Sequence, residues 1–130
     1  MLSKAVRILA IVFIVLVGTA FANTVLAQIK GFSVRVFPKN EEPMIIEEFT
    51  WDGAPFIYGE WRGGTIKLGL KDVKEIHFLG DKYNAMVTMN NGAKDHMNFE
   101  RSASNPFKGM TPFGPWRSEL RSISKLEFNP

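Results

Sequence analysis

The chain has 130 residues, no cysteine, and 16 Lys+Arg against 13 Asp+Glu, for a formal net charge of +3. Two of the cations, Lys4 and Arg7, lie before residue 28, so the remaining 103 residues carry 14 cations against 13 anions. That near-neutral balance removes the main support for a nucleic-acid partner, which needs a basic surface to displace counterions. The missing cysteines exclude disulfides and Cys-based zinc sites, and a domain of this size must then fold on packing alone.

The chain opens with Lys4 and Arg7 and then an unbroken apolar run, Ile8 to Val17. This is the pattern of a secretory signal peptide, and ten apolar residues fall short of the ~20 of a membrane span. Small-x-small cleavage signals stand at Ala20-Phe21-Ala22 and at Val25-Leu26-Ala27. The second leaves the polar Gln28 beside the first strand and is preferred. An uncleaved anchor extending to Leu26 is the alternative, diluted by Gly18, Thr19, Asn23 and Thr24. The expected organisation is a signal peptide at 1–27 and one β domain at 28–130. That domain is exported to a periplasm or the cell exterior, more in the manner of a bacterial envelope protein, with no membrane span after cleavage.

Residues 30–37 alternate, with Phe32, Val34 and Val36 on one side and Ser33 and Arg35 on the other, the period-2 mark of a strand. A polar turn between Pro38 and Pro43 leads to a second strand at 44–50. A loop at 51–55 and a short apolar piece at 56–58 follow. Gly63-Gly64 introduces a strand at 65–70. Leu70, Val73 and Ile76 are spaced by three, then Ile76 and Phe78 by two, which predicts one helical turn running into a strand at 75–79. Strands are expected at 82–89 and 94–101, joined through Asn90-Asn91-Gly92, whose residues tolerate the positive φ of a tight hairpin. Residues 102–117, rich in Ser, Pro and Gly, read as a long loop. The segment 120–128 closes the chain.

The two closing segments match at an offset of 50: Leu70 with Leu120, Val73 with Ile123, Ile76 with Leu126, Phe78 with Phe128. Phe49 and Phe99, Gly59 and Gly109, and Gly64 and Gly114 fall at the same offset. A one-residue slip aligns Pro55-Phe56 with Pro106-Phe107. The pattern implies two similar units of ~50 residues, about 30–79 and 80–130. Neither is large enough to bury a core alone. The fold class expected is all-β, a small antiparallel sandwich or partly closed barrel built from both units.

The sequence singles out no catalytic constellation, no metal site and no cofactor. His77 and His96 lie 19 residues apart on different strands, and no Gly-x-Ser-x-Gly is present. Glu47 and Glu48, as strand neighbours, should point to opposite faces and cannot act as one carboxylate pair. The aromatic segments carry more information. Trp51, Phe56, Tyr58 and Trp61 fall within eleven residues, and Phe107, Phe113 and Trp116 occupy the corresponding region of the second unit. Arg62 and Arg117 each follow a tryptophan. Trp and Tyr concentrate at binding surfaces, although large rings also plug the ends of small barrels. The expectation is a non-enzymatic binding module of the envelope, with a protein or glycan partner. A small cell-wall hydrolase and a self-assembling structural module are the alternatives.

Overall fold

A computed structural model of the chain describes residues 32–130, and the expected signal peptide and its cleavage sites lie outside the described residues. The described part is all-β, with ten antiparallel strands and three single turns of 3-10 helix. The strands are β1 (Phe32–Pro38), β2 (Met44–Trp51), β3 (Phe56–Trp61), β4 (Gly64–Gly69), β5 (Val73–Phe78), β6 (Asn84–Met89), β7 (Lys94–Asn98), β8 (Phe107–Thr111), β9 (Gly114–Ser118) and β10 (Ile123–Phe128). The helical turns are Leu70–Asp72, Glu100–Ser102 and Leu120–Ser122. The strands form one sheet in the order β4-β3-β7-β6-β5-β10-β1-β2-β8-β9. The sheet does not close, but it coils until rings from distant strands meet. Phe78 of β5 lies 6.2 Å from Phe107 of β8, and Trp51 of β2 lies 5.6 Å from Phe99.

The two halves repeat one arrangement. If β1 to β5 are exchanged with β6 to β10, the sheet order reads the same from its other end. The registers obey the same exchange. Val36 faces Leu126 and Met44 in the first unit; Val87 faces Ile76 and Asp95 in the second. At the centre β5 pairs with β10, with Ile76 opposite Leu126, Glu75 opposite Glu127 and His77 opposite Lys125. These pairs are symmetric about a pseudo-twofold axis through Ile76 and Leu126.

The offset between equivalent residues is 51 up to Glu47 and 50 beyond Glu48, because β2 contains one extra residue. The pairs Glu47–Met110 and Glu60–Asn98 are equivalent, and the register of β2 slips just after Glu47. Glu48 is that extra residue, bulged out at φ 53°. Alternation therefore breaks at this point, and Glu47 and Glu48 are both exposed rather than on opposite faces. The slipped Pro-Phe alignment also fails. In the paired strands Phe107 occupies the place of Ile57, since Phe107 faces Ser118 as Ile57 faces Leu68.

Matched core positions are filled alike. Val73 and Ile123, Ile76 and Leu126, Phe78 and Phe128, and Phe49 and Phe99 are all buried. Gly59 and Gly109 are required by close approach. A Cβ on Gly59 would stand 2.8 Å from the Phe99 ring, and one on Gly109 would strike Ile46 and lie 2.9 Å from the Glu47 carbonyl oxygen.

The expected long loop at 102–117 is instead a helical turn followed by the hairpin β8–β9. Pro106, Pro112 and Pro115 gave that stretch the composition of a loop. Yet Pro115 sits on the edge strand β9, where a missing N–H leaves no ladder bond unmade. The tryptophans are strand residues rather than loop residues: Trp51 ends β2, Trp61 ends β3, and Trp116 lies within β9.

Replacing Phe78 or Phe128 by Ala should each cost about 3–5 kcal/mol in urea unfolding, because both are core rings at equivalent positions. Gly109→Ala should cost more than Gly59→Ala, since the new methyl meets main chain in the first case and the edge of a ring in the second. A Gly109→Ala variant as stable as the parent would contradict this packing.

Candidate functional site

The hairpin β3–β4 ends at the turn Arg62-Gly63, both with positive φ, 49° and 83°, the geometry that matches strand twist. Alternation then sorts β3. Ile57 and Gly59 face the core, while Phe56, Tyr58 and Glu60 face out. Opposite them on β4 stand Gly69, Lys67 and Thr65. The Phe56 and Tyr58 rings meet edge to face with centroids 5.6 Å apart. Because Gly69 has no side chain opposite Phe56, the diagonal Lys67 reaches over that ring, its Nζ 4.1 Å from the centroid. Tyr58 is 43% exposed, and Phe56 is half-buried beneath the lysine.

Polar groups frame these rings. Thr65 Oγ1 donates to Glu60 Oε1 at 3.2 Å, and Arg101 Nη1 donates to Thr65 Oγ1 at 3.1 Å. Buried Ser102 donates from Oγ to the Tyr58 carbonyl at 2.8 Å and so fixes the turn Glu100–Ser102 against β3. Between that turn and β3 lies a cleft of about 140 Å³ lined by Trp51, Asp52, Phe56, Tyr58, Ser102 and Asn105, among others. This is well below the ~300–1,000 Å³ of pockets for drug-sized molecules, so it holds one ring or one side chain. Trp51 forms its floor, almost fully buried, with Nε1 donating to the Asn105 carbonyl at 3.1 Å and its ring 4.5 Å from Phe107. Asp52 at the mouth is paired with Lys108 Nζ at 3.2 Å.

The nine residues selected from sequence separate into distinct places. Trp51, Phe56 and Tyr58 line the one cleft. Phe107 is wholly buried in the core. Trp61 and Arg62 converge on Asp95: Trp61 Nε1 donates to Asp95 Oδ2 at 3.0 Å, and Arg62 Nε and Nη2 donate to the same oxygen at 3.2 and 3.1 Å. Phe113 projects fully into solvent at the tip of β8–β9. Half-buried Trp116 lines a second cleft, of about 280 Å³, with Met44, Glu41 and Glu42, and Arg117 is exposed on the edge strand. The two Trp-Arg pairs do not correspond. Trp61 matches Thr111, and Trp116 matches Ile66 across the registers. Sequence reasoning missed Lys67, whose outward position the 65–70 alternation did carry. It also missed Asp95, 34 residues from Trp61 and joined to it only by the pairing of β3 with β7.

Among the described residues, no three His, Asp or Glu side chains gather as a metal-sized group. No helix of the described residues is long and apolar enough to cross a membrane. No protein-family model and no curated protein matches the chain.

Asp95 titrates below its ordinary 3.8, chiefly through the Trp61 indole hydrogen bond, then the His96 main-chain N–H and Arg62. A depressed carboxylate contributes stability that is present above 3.8 and lost as pH falls through the folded-state value. The Trp61 indole N–H resonance should therefore move with a midpoint below pH 3.8. In Arg62→Ala the midpoint should rise toward 3.8. A midpoint above 3.8 in the parent would contradict the contact.

Proposed function

We propose that this chain is an exported, non-enzymatic binding domain of the cell envelope, and that the β3–β4 face with its cleft holds a glycan. The export part rests on the charged start and short apolar run of the sequence. The binding part rests on one observation: the Phe56–Tyr58 pair stands outward beside Lys67, next to a one-ring cleft edged by Asp52, Ser102 and Asn105. Sugar rings present apolar C–H faces and a rim of hydroxyls, and a ring face with oxygen and nitrogen groups around it answers both. From Phe56 to Trp61 the strand extends roughly 16 Å, enough to follow more than one sugar unit.

A hydrolase has less support. Glycoside cleavage employs two carboxyl groups across a cleft. Here the cleft's carboxylate, Asp52, is held by Lys108, and Glu47 and Glu48 are solvated. A peptide partner has one specific observation in its favour. The two-residue turns make Trp61/Gly64 and Thr111/Gly114 the bonded pairs at each hairpin tip. Thr65 and Lys67 on β4, and Pro115 and Arg117 on β9, then turn their main-chain groups to the open edges. Pro115 blunts its edge, whereas Thr65 leaves the β4 edge able to accept a further strand.

Retention on insoluble peptidoglycan separates these readings. Tyr58→Ala and Lys67→Ala should keep the melting temperature and lose retention about tenfold or more. Trp51→Ala should unfold the domain instead. Equal retention by all folded variants would overturn the glycan site. Retention of an extended peptide abolished by Thr65→Pro alone would favour the edge.

A further inference from the structure

A third cavity, sharing no lining residue with the β3–β4 cleft, lies between the β5–β6 turn, the end of β1 and the start of β10. Its volume is about 240 Å³. The floor is apolar, made by Phe78, Leu120 and Ile123, and Lys39, Lys82, Arg121, Tyr83 and Asn84 stand around it. Among the described residues, no carboxylate lines it. Among the described residues Lys39 and Lys82 have no ion-pair partner. Arg121 donates from Nε to Glu119 at 2.6 Å, and among the described residues no acceptor takes its terminal nitrogens.

The walls are held in place by main-chain bonds. Lys39 N–H donates to the Ser122 carbonyl at 2.9 Å, which ties the end of β1 to the start of β10. Lys82 and Tyr83 both adopt left-handed conformations, φ 44° and 63°, which side chains with a Cβ seldom do. Their carbonyls accept from Asn98 Nδ2 at 2.8 Å and from Phe99 N–H at 3.0 Å, so β7 fixes this turn in shape.

The pseudo-twofold supplies an internal comparison. Phe78, Leu120 and Ile123 correspond to Phe128, Leu70 and Val73, so the apolar floor recurs as packing demands. The rim recurs only in part: Lys71 stands where Arg121 does, but Asn90 replaces Lys39 and Phe32 replaces Tyr83. Lys39 and Tyr83 on the rim are therefore not demanded by the repeated architecture.

We propose that this cavity binds a small organic anion: a carboxylate or phosphate head, met by Lys39, Lys82 and Arg121, on an apolar body about one ring in size. Charge-assisted bonds to the head and contact with Phe78 and Ile123 act together, so head and body are both required.

The test is a titration of the isotope-labelled chain, followed by main-chain amide shifts, with phenyl phosphate, benzoate, inorganic phosphate and benzyl alcohol. Phenyl phosphate or benzoate should saturate, with shifts gathered at 80–84 and 120–123. Stronger binding by one of them identifies the head group. Arg121→Ala, Lys82→Ala and Lys39→Ala should each weaken binding about tenfold, the equivalent of one charge-assisted bond. Lys71→Ala, which alters the residue equivalent to Arg121, should leave it unchanged. Should Lys82→Ala fail to fold, the Arg121 and Lys39 variants carry the same test. Shifts scattered over all lysines, equal affinity for inorganic phosphate or benzyl alcohol, or binding insensitive to Arg121 and Lys39 would each overturn the proposal.

Discussion

The structure depends on one constraint: the three pieces of each unit bond to the other unit rather than to each other. Within the first unit β1 pairs with β2 and β3 with β4, but no ladder joins those hairpins to each other or to β5. The joins are β1 to β10, β2 to β8, β3 to β7 and β5 to both β6 and β10, all between units. A single unit is two loose hairpins and a lone strand, and an isolated hairpin is marginal in water. Interlocked, the two units bury one aromatic core in which Phe49 meets Phe107 and Phe128, and Phe99 meets Trp51 and Phe78. This explains how about 100 residues without a disulfide can sustain a core.

Symmetry also separates packing from function. Several positions that face inward, among them Val73 and Ile123, Ile76 and Leu126, and Phe78 and Phe128, are filled alike in both halves because the same volume must be filled. Positions at the rims are free of that demand, and there the halves diverge: Tyr58 against Lys108, Thr65 against Pro115, Lys39 against Asn90, Tyr83 against Phe32. One edge is blunted by proline and the other is not. The β3–β4 face and the cationic cavity both lie on the divergent side of this division.

The all-β class was legible because period-2 alternation follows from strand geometry. The Asn90-Asn91-Gly92 turn and the 70–78 change of period were legible for the same local reason. Where reading failed, the cause was a tertiary circumstance that sequence does not carry. Pro106, Pro112 and Pro115 looked like loop residues because nothing local says that β9 is an edge. Glu48 broke the alternation because a bulge is set by the partner strand. The site was legible only in part. Phe56 and Tyr58 were found from composition, but Trp51 and Phe107 proved to be core, and ring chemistry alone does not distinguish a plug from a platform. Lys39, Lys82 and Arg121 are some 40 residues apart from one to the next and meet only because β10 pairs with β1 on one side and β5 on the other.

The central claim is that β5 and β10 pair about Ile76 and Leu126 and so lock the two units together. Cross-strand nuclear Overhauser contacts in the full-length chain test it most directly. The account predicts contacts that place Ile76 opposite Leu126, Glu75 opposite Glu127 and His77 opposite Lys125, in one continuous antiparallel ladder. A register displaced by two residues, or a β5 bonded to a strand of its own unit, would contradict it.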